Sequence, residues 1–113
     1  MIHGVGVDLV GYHRFARFAR DHAARLPDLF TKNERHGPVA LAVAWSLKEA
    51  TLKALGGLSG WDVDWRELVV GEGTVRLTGK VARHAQAIGV GTLTASTARI
   101  RGAVVATVIA SKE

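Results

Sequence analysis

An α+β domain, with a mostly antiparallel sheet packed around one long helix, is the fold class that three observations predict. Apolar residues alternate from Ile2 to Val10, and again after Gly60, with the period of a half-buried strand. Between these stretches, from Tyr12 to Leu55, the apolar spacing switches to that of helices. The later strands come as two hairpins with a short helix between them, so the sheet is mostly antiparallel.

With 113 residues, the chain reads as one domain over 1–113, large enough for a modest core and small enough to gain from assembly into an oligomer. Apolar residues make up 48% and charged residues 22%, the balance of a soluble globular protein. No apolar run approaches the roughly 20 residues that a membrane helix needs. The opening MIHGVGVDLV has no basic lead and no cleavage site, so it reads as a strand and not as a signal peptide. The absence of cysteine excludes disulfides, zinc–thiolate sites and thiol nucleophiles, and fits a reducing cytoplasm.

Each element has its own signal. Ile2, Val5, Val7, Leu9 and Val10 make the first strand, and Gly4 and Gly6 within it admit another backbone at close range. Tyr12 to Leu26 makes the first helix, with Phe15, Phe18, Ala19, His22 and Leu26 as its apolar stripe and Pro27 as its stop. Phe30 to Glu34 reads as a cap leading into a short helical turn. Pro38 opens a second helix, from about Val39 to Leu55, closed at Gly56 and Gly57, where glycine can take the left-handed cap conformation. Trp61 to Trp65 alternates. Glu67 to Val70 and Thr74 to Thr78 then pair as a hairpin about Gly71 to Gly73. Lys80 to Ile88 is a short helix, and Thr92 to Thr97 and Ala103 to Ala110 are two last strands joined through Ala98 to Gly102.

The net charge of +5 is unevenly placed. Arg14, Arg17, Arg20 and Arg25 in the first helix face one acid, Asp21. Such a segment is a solvated helix face or a surface for an acidic partner. A nucleic-acid surface would call for interleaved aromatics or a known module, and neither is present.

Most common chemistries are absent: there is no GxSxG elbow, Walker loop, HExxH or dinucleotide fingerprint. His3, His13, His22, His36 and His84 show no ligand spacing, and His22 and His84 fall on apolar helical faces, where a core histidine is expected. Two isolated acids remain. Asp8 sits in a strand, where aspartate is disfavoured, so it is a salt-bridge or cap residue, a metal ligand or a general base. Glu49 lies in WSLKEATLKALGG between Lys48 and Lys53, and its i+4 spacing to Lys53 puts both on one helix face. That pair is either a modest stabilising ion pair or part of a site holding a metal beside a phosphate. Two carboxylates from a strand and a helix would suit Mg²⁺, with the lysines as counter-charge to a phosphate.

Three ordered motifs, GVGVDLV, FTKNE at Phe30 to Glu34 and WSLKEATLKALG at Trp45 to Gly56, resemble those of the 4′-phosphopantetheinyl transferases. Length and the final strand pair are similar to the small holo-acyl-carrier-protein synthase branch. The WSLKEA form, with its tryptophan, is closer to the larger branch that serves polyketide and peptide synthetases. The resemblance implies transfer of phosphopantetheine from coenzyme A to a serine of an acyl or peptidyl carrier protein, with release of 3′,5′-ADP. It implies Asp8 and Glu49 as catalytic metal ligands for Mg²⁺, and Lys48, Lys53 and Gly56 as coenzyme A-binding residues. Glu49 or a metal-held water would act as base. Arg14, Arg17 and Phe18 would dock an acidic carrier protein, and the protein would form a homotrimer in the cytoplasm, serving fatty-acid or polyketide biosynthesis.

Three departures accompany the resemblance. Ala98 stands where the small branch has histidine, beside the expected turn of the last two strands, and Ala44 stands where an arginine precedes the KEA motif. The stretch between FTKNE and the helix is short. These changes remove contacts that the family gives to the nucleotide part of coenzyme A. A non-catalytic carrier-binding or oligomer-building module therefore stands beside the enzyme; a basic nucleic-acid-binding domain is a third, weaker reading that rests on the net charge alone.

Overall fold

The first strand, β1 (Ile2–Gly11), carries glycine at two alternate positions because a helix backbone lies against it. A Cβ on Gly4 would run into the carbonyl of Ala54, and one on Gly6 into that of Ala50. The computed structural model describes residues 1–57 and 63–112. That helix runs from Pro38 to Ala54 and is the longest among the described residues.

Ahead of it, the expected first helix is divided. Helix α1 (Tyr12–Asp21) ends at His22, whose φ of −123° is not helical. A 3₁₀ turn (Ala23–Arg25) and the short α2 (Leu26–Leu29) follow. Pro27 sits in the first turn of α2 and so begins a helical segment instead of stopping one, since a first-turn residue has no use for an N–H. His22 is exposed and stacks on Phe18 with centroids 4.6 Å apart, which corrects its assignment to the core. A second 3₁₀ turn (Lys32–Glu34) leads to α3 (Pro38–Ala54), close to the bounds expected from the sequence.

Gly60, Trp61 and Asp62 lie outside the described residues. Trp65 to Glu67 form a 3₁₀ turn, and Val63 and Asp64, the other described residues of the alternating stretch, are in no strand. Strands β2 (Leu68–Gly71) and β3 (Thr74–Leu77) pair as the expected hairpin, with Gly73 at φ 63° in its turn. Helix α4 (Gly79–Ala87) follows, then β4 (Val90–Ile100) and β5 (Ala103–Lys112). These last strands are longer than expected, and only Arg101 and Gly102 separate them.

The main sheet has the order β1-β5-β4, with both pairings antiparallel. Its inner face packs on α3 through Val104, Ala106, Val108 and Ala110 of β5, all buried. Alternation puts the other residues of β1 outward: Val5, Val7 and Leu9 are 52%, 52% and 62% exposed. No helix among the described residues is long and apolar enough to cross a membrane.

Candidate active site

Register decides which residues of β1 meet the helix. Gly4, Gly6, Asp8 and Val10 share the inner face, so the absence of side chains at the two glycines lets α3 approach and brings its last turns beside Asp8. Glu49 enters the same region from α3. Asp8 and Glu49 both line a cleft of about 380 Å³ whose wall is completed by Arg14, Phe15 and Phe18 of α1 and by Trp45 of α3. The strand acid and the helix acid therefore face one space, which sequence spacing alone could not establish.

The electrostatics follow from that proximity. Burial pushes the Glu49 carboxyl above its usual range, the negative charge of Asp8 adds to the shift, and Lys53 opposes it. Lys53 Nζ donates to Asp8 Oδ1 at 3.0 Å and to the Val7 carbonyl at 3.1 Å. Its contact carboxylate is thus Asp8 across the strand–helix junction and not Glu49 along the helix.

Lys48 departs from the expectation of a phosphate ligand. Its side chain is fully buried, and Nζ donates to the Leu29 carbonyl, Glu34 Oε1 and the Trp65 carbonyl, each at 2.8 Å. An ammonium has three protons, and all three are committed. Glu34 is also buried, and it accepts from Thr31 N at 2.7 Å and from Val70 N at 2.7 Å. Burial pulls Lys48 below the usual lysine range, opposed by its hydrogen bond and attraction to Glu34. This node ties FTKNE, α3 and β2 together, and sequence reasoning missed it. The available signal was an acid and a base in two separate motifs, each within an apolar setting.

Gly56 has φ 88° and its N–H donates to the Lys53 carbonyl at 3.0 Å, so it closes α3; it is not part of the cleft wall. Arg14 and Phe18 line the cleft, whereas Arg17 is exposed outside it. Ala44 is buried and lines a second cleft, of about 950 Å³, on a different flank of α3, where Arg76 and Arg99 supply positive charge. Ala98 lies within β4, paired with Val105, and not at the turn where it was expected.

The donor set bears on a metal. No third histidine, cysteine, aspartate or glutamate joins Asp8 and Glu49 into a group of three among the described residues. Two hard carboxylates with open cleft beside them fit Mg²⁺, which keeps waters and takes substrate phosphate oxygens, and fit poorly the closed nitrogen–sulfur sites of structural zinc.

Comparisons with known proteins bear on the family and the fold. The family model described as the 4′-phosphopantetheinyl transferase superfamily matches residues 4–108. A holo-[acyl-carrier-protein] synthase of Clavibacter michiganensis is 42% identical over 96 residues, covering 80% of this chain and 79% of the relative. The crystal structure of the synthase from Neisseria meningitidis superposes with a TM-score of 0.84 at 25% identity, covering 99% of this chain and 100% of that one. An ACPS–CoA complex from Chronobacterium ammoniagenes superposes with a TM-score of 0.80 at 25% identity, over 97% of each chain.

Proposed function

Because the chain belongs to the 4′-phosphopantetheinyl transferase superfamily, we propose that it moves phosphopantetheine from coenzyme A to a serine of an acidic acyl carrier protein, with Mg²⁺ as cofactor. The observation that carries the reading is the convergence of Asp8 and Glu49 on one cleft whose remaining wall includes Arg14 and Phe18. The reacting groups and a docking surface for the carrier then share one opening.

In this reading the carrier's serine oxygen forms a bond to the phosphorus on the pantetheine side of the diphosphate. The bond from that phosphorus to the bridging oxygen breaks, and 3′,5′-ADP leaves with the electron pair. The proton of the serine hydroxyl passes to Glu49, directly or through a water. A bound Mg²⁺ would supply neutralisation of the charge that develops on the diphosphate oxygens. Asp8 and Glu49 would hold it, and Lys53, half exposed and paired with Asp8, is the lysine near enough to turn to a phosphate. Arg14, with Arg17 further along the same helix, presents positive charge to the carrier's acidic helix. Arg76 and Arg99, in the cleft lined by Ala44, are cations available to the nucleotide half in place of the missing arginine.

The uncovered outer face of β1 supports assembly of copies into the expected homotrimer, because rows of exposed valine and leucine are an interface composition. The absence of cysteine supports a cytoplasmic setting.

The direct test follows nucleotide release. With an apo carrier, coenzyme A and Mg²⁺, wild type should liberate 3′,5′-ADP stoichiometrically with carrier, and Asp8→Asn should slow this by at least about 10²-fold. Carrier binding without release of nucleotide would favour the non-catalytic module instead.

A further inference from the structure

The two lysines of the KEA helix do different work, and the difference points to a device at the cleft. Lys48 is immobilised by three buried acceptors. Lys53 stands in the last turn of α3 on a flexible four-carbon stem, with its side chain 52% exposed, and reaches across to Asp8, whose side chain is 17% exposed.

We propose that Lys53 is a built-in counter-cation that holds the place of the divalent ion at Asp8 in the ligand-free protein and yields it as the diphosphate arrives. The inference rests on the metal reading above.

Three observations carry it. First, the fold brings two carboxylates to one cleft, an arrangement that repels itself unless a positive charge stands nearby. Lys53 is that charge: its ammonium is 3.0 Å from Asp8 Oδ1, and its attraction reaches Glu49 as well. Second, the ammonium stands 3.0 Å from Asp8 Oδ1, so a cation taken up by Asp8 and Glu49 meets like-charge repulsion there unless Lys53 moves away. Third, leaving costs little. An ion pair with one partner half exposed is worth a small fraction of a metal–carboxylate bond, and the Val7 carbonyl, the other acceptor of Lys53, can be replaced by water.

The displaced ammonium then lies beside the diphosphate and gains a partner there. Cation and diphosphate therefore assist each other's binding, and the assistance is reciprocal. Without coenzyme A the competition from Lys53 keeps the divalent ion weakly bound.

The test measures Mn²⁺ binding by electron paramagnetic resonance in the absence of coenzyme A. Lys53→Met should bind Mn²⁺ roughly three- to tenfold more tightly than wild type, while Arg14→Met, which removes a charge from the cleft wall and not from Asp8, should change affinity by about twofold or less. In parallel, the ¹³C signal of the Lys53 ε-methylene should move when Mg²⁺ saturates the wild-type protein. Equal Mn²⁺ affinity in wild type and Lys53→Met, or a Lys53 signal unmoved at Mg²⁺ saturation, overturns this inference and leaves the metal reading standing. No Mn²⁺ binding by either protein overturns both.

Discussion

Glu49 is held in the cleft at some cost to stability. Its folded-state carboxyl is raised, chiefly by burial and next by Asp8, so the folded protein binds that proton more tightly than the unfolded chain does. Between the ordinary carboxylate range and the raised value, stability therefore falls as pH rises, and above that window the full penalty stands. Glu49→Gln should accordingly raise the melting temperature of the metal-free protein at neutral pH while abolishing transfer; scanning calorimetry with a parallel transfer assay checks both. Because an ionised Glu49 is needed to hold the cation, Mg²⁺ affinity should fall as pH falls, protons and metal competing for one carboxylate.

Lys48 obeys the opposite logic. Truncating it to methionine leaves the Glu34 charge buried without its partner, a loss of about 3–5 kcal/mol in chemical denaturation, and Lys48→Met with Glu34→Leu should recover much of that. Sequence alone made Asp8 and Glu49 legible as acids in elements that otherwise lack them. It misread Lys48 because that side chain points about 100° away from Glu49, into the buried acceptors of Leu29, Glu34 and Trp65. Lys53, at i+4 from Glu49, shares its helix face and reaches Asp8.

At the scale of elements, the site exists because β1 and α3 touch backbone to backbone. Gly6→Ala places a methyl against the Ala50 carbonyl, and the strand or helix must shift to admit it. A loss of about 1–3 kcal/mol follows from overpacking, and transfer should fall further than stability does, since the shift parts Asp8 from Glu49. Denaturation curves and rates on the same preparation separate the two effects. The glycines were readable as close-approach positions from their place in a strand. Their partners were not, because nothing in Ala50 or Ala54 says which strand will lie on them. Pro27 was misjudged because proline suits a first helical turn as well as it ends a helix, and the surrounding residues do not distinguish the cases. The last strands exceed their apolar core because Thr92 to Ile100 keep extended pairing with β5 beyond the alternating segment.

At the scale of the molecule, charge and apolar surface are segregated. Arginines line α1 beside the cleft, and the outward row Val5, Val7 and Leu9 leaves an apolar sheet face uncovered. Val7→Glu should dissociate the proposed trimer, visible as a drop in mass by light scattering, while circular dichroism stays unchanged because the side chain is outside the core. Oligomerisation was expected from chain size and family resemblance; the surface that would carry it became visible only once strand register was known. Transfer is read without intermediary in the intact mass of an apo carrier protein incubated with this protein, Mg²⁺ and coenzyme A. One phosphopantetheine should be added with wild type and none with Glu49→Gln. A carrier that gains no mass with folded wild type, or gains it equally with Glu49→Gln, contradicts the account.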